Sequence, residues 1–287
     1  MSNQFYTLSN GYKFPKVCLG TSKTSGDELK ASVKSAIKLG YRGLDTAQFY
    51  ENEKEIGEAV RETGSDIMIM TKLANSKHGY DNALFAFEES EKLLGRVDVF
   101  LIHFPGLSDT YFETWRAFEK LYKDGRVKAI GVSNFLPRHL EELKKRFEIV
   151  PMVNEIEVHP FFYQAESIAY CQKNNIQVAA WRPINECFKD PVITEIAQKY
   201  GKTNAQITLR FLVEKGICPL PKSVHEERLA QNIDIFDFSL SEDDVKRIEG
   251  LNCGRRTGPD PEKDFDLDPI SVVVARLKAQ REAMNNR

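Results

Sequence analysis

Short apolar runs alternate with helix-patterned stretches along most of the chain, and this rhythm limits the possible fold more than any single residue does. The runs are "VCLG" (17–20), "GLD" (43–45), "IMIMTK" (67–72), "VDVFLIHF" (97–104), "VKAIGVS" (127–133), "MVNEIE" (152–157), "IQVAAW" (176–181) and "ICPLP" (217–221). Amphipathic stripes lie between them. "SGDELKASVKSAIKLG" places Leu29, Val33, Ala36 and Ile37 on one face, opens with a Ser25/Glu28 capping box and closes at Gly40. "TYFETWRAFEKLYKDG" does likewise with Tyr111, Trp115, Phe118 and Tyr122, ending at Gly125. Repeated strand-then-helix units give a parallel sheet, and eight of them predict an α/β fold of the closed (β/α)8 TIM barrel type. The longer interval before "ICPLP" holds two helices, "PVITEIAQKYG" and "NAQITLRFLVEKG", one of them an addition to the plain barrel. A doubly wound open sheet competes, but no G-x-G-x-x-G follows the first run. The 287 residues suit one barrel domain, with "CGRRTGPDPEKDFDLDP", from residue 253, as a polar surface tail leading to a last helix.

Charge excludes some partners. Forty basic against 42 acidic side chains leave a net charge of −2, so no summed field draws the chain to nucleic acid or to an anionic membrane. The amino-terminal "MSNQFYTLSNGYKF" has neither a basic leader nor an apolar h-region, and no apolar run is long enough to span a bilayer, so a cytoplasmic location is expected. The five cysteines are scattered without a C-x-x-C or a Cys/His cluster, which suggests reduced thiols and no metal.

In a barrel of this kind, functional side chains gather at the carboxyl ends of the strands. Asp45 ends the second run, Tyr50 lies in the loop after it, Lys72 ends the third, and His103 ends the fourth. Singly, each has an ordinary structural explanation. Together they answer a chemical need, because a phenol with a pKa of about 10 gives up its proton reluctantly at neutral pH. A neighbouring ammonium would lower that value, and a carboxylate would hold the ammonium in place. Tyr50 is then the acid, Lys72 its tuner and Asp45 the anchor, while His103 orients a carbonyl and stabilises charge developing on its oxygen.

The stretches "GYRGLDTAQFYENEKEIG", "LIHFP", "GVSNF" and "PLPKSVHEERLAQN" closely resemble successive signatures of the aldo-keto reductases, from about Gly11 to Asn232. The short loop between Pro105 and Trp115 resembles that of the bacterial and protist members related to diketo-gluconate reductase and prostaglandin F synthase. The resemblance implies a (β/α)8 barrel, a catalytic tetrad of Asp45, Tyr50, Lys72 and His103, and NADPH extended across the barrel mouth. It also implies that Gly20, Thr21 and Ser22 approach the cofactor, with Asp45 beside it. Ser133 and Asn134 would hold the nicotinamide amide, with Trp181 stacked on its ring. Lys222, Ser223 and Arg228 would surround the 2′-phosphate, with Gln231 and Asn232 near the adenine. A guanidinium, an ammonium, a hydroxyl and backbone N–H groups suit a phosphate and favour NADP over NAD. Phe49, Phe104 and Trp115 are candidate apolar lining for a carbonyl substrate beside Tyr50 and His103, although Trp115 also fits the helix stripe. The family expectation for assembly is a monomer.

Four positions depart from the family pattern. Ser22 stands where Trp is common, leaving a roomier pocket. Glu155 replaces the usual Gln at the nicotinamide, where an anion would favour the oxidised ring. Arg182 replaces Ser, and either reaches the pyrophosphate or pairs with Glu155 or Glu186. Gln231 replaces Glu and keeps an acceptor. The expected activity is NADPH-dependent reduction of aldehydes and ketones. The alternative is a cofactor-binding sensor of low turnover.

Overall fold

The computed structural model describes residues 4–106 and 110–262. Eight parallel strands form one sheet in strict chain order: β3 (Leu19–Gly20), β4 (Gly43–Asp45), β5 (Met68–Leu73), β6 (Val99–Ile102), β7 (Ala129–Ser133), β8 (Val153–Glu157), β9 (Gln177–Trp181) and β10 (Cys218–Pro219). Seven fall within an apolar run, and β5 extends one residue past its run, to Leu73. The ring closes between its first and last members, where Cys18 N–H donates to Pro219 O at 3.3 Å and Gly20 N–H to Pro221 O at 3.1 Å. The strands are apolar nearly throughout because both faces are covered, the inner by the barrel core and the outer by helices. In β6, for example, Val99, Phe100, Leu101 and Ile102 are all fully buried.

An antiparallel hairpin precedes the barrel, β1 (Phe5–Thr7) with β2 (Lys13–Pro15). It caps the amino-terminal end, since Tyr6 Oη donates to Ile217 O just before β10 and Asn10 Nδ2 to Lys128 O just before β7. Its strands are three residues each, too short to show an alternating pattern in the sequence.

The connecting helices are α1 (Gly26–Leu39), α2 (Glu53–Thr63), α3 (Tyr80–Leu94), α4 (Thr110–Lys123), α5 (Pro137–Arg146) and α6 (Ala165–Lys173). After β9 come α7 (Pro191–Tyr200) and α8 (Asn204–Glu214), the two expected in the long interval. Asp190 caps α7 through Val192 and Ile193 N–H, and Thr203 with Gln206 forms a reciprocal capping box on α8. Then follow α9 (Glu226–Ile233) and α10 (Glu242–Glu249). The last helix expected in the tail lies outside the described residues.

In α1 the stripe forms as expected: Leu29, Val33 and Ala36 are buried, Ile37 packs against the core, and Gly40 ends the helix at φ 97°. The Ser25/Glu28 capping box does not form, because the Ser25 side chain makes no cap bond and Gly26 N–H turns to Glu55 Oε1 of α2 instead. Packing between α1 and α2 thus satisfies one amide of the first turn from a neighbouring helix. Gly57 permits the close approach of α2 to α3, since a Cβ there would strike the Leu93 carbonyl.

Trp115 belongs to the helix stripe, not to the pocket. It is fully buried, stacks 5.9 Å from Phe118 between ring centroids, and donates its indole N–H to Ile149 O at 3.0 Å. The first turns of α4 direct it into the layer between helix and sheet. Trp115→Ala is expected to cost about 3–5 kcal/mol of stability, as large aromatic truncations in cores do. Chemical denaturation measures the loss, while the folded fraction keeps its kcat; a normal midpoint with a raised KM would return Trp115 to the substrate pocket.

Candidate active site

Three consecutive strands deliver the chemistry to the carboxyl-terminal mouth. Asp45 is the last residue of β4, Lys72 lies near the end of β5, and His103 follows β6. Tyr50 comes from a single 3-10 turn, Gln48–Tyr50, in the loop after β4. That loop is tied at both ends. Asn52, fully buried, accepts from Thr46 Oγ1 at 2.7 Å and donates to Thr21 O and Thr24 O at 3.0 and 2.9 Å. Gln48 donates to Ala86 O and Ser90 Oγ of α3 and accepts from Ala74 N–H. These two amides hold the phenol in one place, as a proton donor requires. Both lie in the quoted "DTAQFYENE" stretch, but nothing in their local pattern distinguished them from ordinary loop residues.

Lys72 is completely buried and hydrogen-bonds Asp45 Oδ1 at 2.5 Å and Thr46 O at 3.0 Å. Its Nζ lies 5.2 Å from the Tyr50 ring centroid, and the Tyr50 and His103 rings meet edge-on at 5.9 Å. The four residues therefore converge. Burial alone would strip the Lys72 proton, but the carboxyls of Asp45 and Glu155 outweigh it and hold the ammonium above its ordinary value. His103 is pushed well below the usual imidazole range by burial, helped by the Lys72 charge, so it is a neutral ring.

The expected lowering of the tyrosine is not found. Burial raises Tyr50 above the ordinary phenol value, Lys72 only partly offsets this, and Asp45 and Glu155 add to the rise. An ammonium shared between two carboxyls has little positive field left for a third neighbour. Tyr50 is thus a proton carrier that stays loaded at neutral pH.

Above these groups opens a cavity of about 580 Å³. Tyr50, His103, Phe49 and Phe104 form one side, and Ser133, Asn134, Glu155, Trp181 and Arg182 another. Gly20, Ser22, Asp45 and Lys222 also line it. Asn134, at φ 63°, donates to His103 O and Ser133 Oγ and accepts the Trp181 indole N–H at 3.0 Å, which fixes the orientation of the indole at the cavity wall. Thr21 does not reach the cavity; its hydroxyl and N–H both clip onto Asp45 O. Ser223, Arg228, Gln231 and Asn232 lie beyond the lining as well. Arg228, Gln231 and Asn232 sit on α9, which begins shortly after Lys222, with Arg228 exposed and Asn232 buried.

The sequence profile of the Aldo/keto reductase family matches residues 16–190 and 189–252. A glyoxal reductase of Bacillus subtilis (strain 168) is 46% identical over 264 residues, covering 89% of this chain and 95% of the relative. A 9,11-endoperoxide prostaglandin H2 reductase of Trypanosoma cruzi (strain CL Brener) is 41% identical over 270 residues, covering 90% and 95%. A crystal structure of a Bombyx mori aldo-keto reductase in complex with NADP superposes with a TM-score of 0.86 at 34% identity, covering 94% of this chain and 99% of that one. The chain belongs to the aldo/keto reductase family.

In this aldo/keto reductase, Arg182 pairs with neither of the two carboxylates expected for it, Glu155 or Glu186. Its Nη1 donates to Thr257 O at 2.5 Å and to Thr257 Oγ1 at 3.1 Å, while Glu186 pairs with Arg255 at 2.9 Å and Glu155 with Lys72. The partner comes from the described start of the tail, which crosses beside the mouth. Thr257 and Gly258 N–H donate to the Glu157 carboxylate, and a Cβ at Gly258 would strike the Trp181 ring. Only glycine lets that strap press flat against the indole. Sequence reading missed Pro259, Ile184 and Asn185 as lining residues, because a wall built from segments far apart in the chain has no linear pattern.

The donor set fits a dinucleotide carrying an extra phosphate. Lys222 and Arg228 are both exposed, and among the described residues neither has a carboxylate partner, although the surface is otherwise rich in ion pairs. The two cations bracket the start of α9, whose first turn also carries Glu226 and Glu227, and a phosphate placed there would meet an ammonium and a guanidinium that make no ion pair among the described residues.

Proposed function

We propose that this aldo/keto reductase reduces aldehydes, and ketones more slowly, to alcohols with NADPH. The observation that carries the reading is the single buried ammonium of Lys72, clamped by Asp45 directly beneath Tyr50 and beside a neutral His103. NADPH, when bound, supplies the hydride. Ser133, Asn134, Glu155 and Trp181 would hold its nicotinamide at the floor, and Lys222, Ser223 and Arg228 its 2′-phosphate, with Gln231 and Asn232 toward the adenine. His103 would donate a hydrogen bond to the substrate carbonyl, orienting it and stabilising negative charge on oxygen. Tyr50 would deliver its proton to that oxygen as the charge develops. Phe49, Phe104 and the small Ser22 leave an apolar, open approach that suits several carbonyl shapes.

Steady-state assays over a panel of aldehydes, ketones and sugars with both reduced cofactors test the proposal. Steady oxidation of NADPH by at least one small aldehyde is expected. No turnover across the panel, despite tight NADPH binding, would make the chain a cofactor-binding sensor instead.

The phosphate seat is tested separately. Arg228→Ala removes one charge-assisted contact and is expected to weaken NADPH binding by about 10- to 100-fold, with NADH little changed. Equal affinity for the two cofactors in the unaltered protein would remove the assignment.

A further inference from the structure

Two carboxyls compete for the one ammonium under the cavity. Lys72 Nζ lies 2.5 Å from Asp45 Oδ1 and 3.2 Å from Glu155 Oε2, with side-chain exposures of 0%, 5% and 1% for the three residues. The second contact lacks hydrogen-bond geometry, which leaves Glu155 Oε2 unsatisfied in a buried place. Three further cations, Lys23, Arg182 and Lys222, line the same cavity, but Arg182 is turned to Thr257, and among the described residues Lys72 alone lies within ion-pair distance of Asp45 and Glu155. Tyr50 comes from the loop after β4, His103 from the end of β6, and Cys18 from just before β3; the phenol and the thiol are both raised and the imidazole is lowered, so all three are neutral. On β7, Ser133 Oγ is committed to the Glu155 carbonyl, and on β9 the Trp181 indole is committed to Asn134.

Charge counting then decides the protonation state. Two ionised acids against one ammonium would leave a net negative charge on side chains almost wholly removed from water, which costs more than keeping a proton. Acids that share a buried site do not both ionise near neutral pH. Burial pushes Glu155 well above the usual carboxylate range, with the charge of Asp45 adding to the rise, and burial raises Asp45 as well. The pair keeps one proton between them.

We propose that Glu155 is a resident proton reserve for Tyr50, protonated in the free protein and with NADPH bound, and ionised when NADP+ occupies the site. The proposal rests on the cofactor reading above, in which the nicotinamide lies against Ser133, Asn134 and Glu155. The proton balance runs through this chain's own groups. Tyr50 gives its proton to the carbonyl oxygen and becomes a phenolate. Lys72 passes a proton to the phenolate and, once its 3.2 Å contact with Glu155 turns into a hydrogen bond, takes one from the Glu155 carboxyl. Glu155 is left as a carboxylate, opposite a ring that has become cationic. Water returns the proton when the oxidised cofactor leaves. Glu155 would thus be a positioning and proton-storing residue, a role that an uncharged amide cannot fill.

Proton counting on binding tests the idea without turnover. The protein is mixed with NADP+ or with NADPH in weakly buffered solution near neutral pH containing an indicator dye, and binding is followed in parallel by protein fluorescence. NADP+ is expected to release up to about one proton per site more than NADPH does. The 2′-phosphate is common to both cofactors, so its ionisation cancels in the difference. In Glu155→Gln the two proton counts should coincide. In the unaltered protein the preference for NADP+ over NADPH should strengthen by up to about tenfold for each unit that pH rises while the pair in the free protein still holds its proton, level off above that range, and be flat in Glu155→Gln. Tight binding of both cofactors with equal proton counts overturns this proposal and leaves the cofactor reading standing. Failure of both cofactors to bind takes down the two together. Because the unaltered protein decides the matter, a misfolded variant would not rescue the proposal.

Discussion

Tyr50→Phe is expected to lower kcat/KM for a good aldehyde by about 10²- to 10⁴-fold while leaving NADPH affinity nearly unchanged. The substitution removes one oxygen and keeps the ring, so the edge-on contact with His103 at 5.9 Å and the Lys72 contact at 5.2 Å from the ring centroid survive. What disappears is the only protonated phenol among the four converging groups. The loss corresponds to about 3–5 kcal/mol of transition-state stabilisation. Steady-state kinetics give the ratio and fluorescence titration gives the cofactor affinity. Because Tyr50 is held above the ordinary phenol value, its proton should remain in place up to at least about pH 10 in the free protein. An aldehyde turned over at the normal rate by the phenylalanine variant would end the proton-donor role.

Lys72→Met should damage both activity and folding. The methionine fills similar volume but leaves Asp45 and Glu155 facing each other in a buried space with no cation, and breaking a buried pair in this way costs about 3–5 kcal/mol. The pH dependence has a definite sign. Without the ammonium, the folded-state values of both acids rise further above their unfolded values of about 4. A raised acid contributes most favourably below its unfolded value and loses that contribution as pH climbs toward the folded one. The deficit should therefore be small near pH 4, widen through neutral pH, and level off above the raised folded-state values. Denaturation midpoints of variant and parent at several pH values measure this. A deficit independent of pH would mean that Lys72 stabilises by packing alone. Turnover should fall by about 10²-fold or more, since the phenolate left after proton donation loses its nearest proton source.

The separation between legible and illegible features follows distance along the chain. Strand and helix alternate by local apolar pattern, so all eight barrel strands and the two helices of the long interval, α7 and α8, could be read from the residues. Strand order also followed, because parallel units joined by helices place each strand beside the preceding one. The residue types at the strand ends were legible for the same reason: Asp45, Lys72 and His103 each sit where a run stops. The β1–β2 hairpin was not legible, since three-residue strands carry no period. Trp115 was ambiguous because one stripe can face core or cavity, and only the docked helix shows that its indole reaches Ile149.

By itself, the sequence determined the barrel, its order, and that Asp45, Lys72 and His103 stand at or just beyond strand ends, because those depend on local periodicity and on the direction of each strand. Tertiary structure alone decided who pairs with whom there: Arg182 with Thr257, Glu155 with Lys72, Glu186 with Arg255. It also reversed the expected shift of Tyr50. Protonation and pairing depend on how many charges share a buried volume and how much water remains, and neither quantity exists until segments remote in the chain have closed around it.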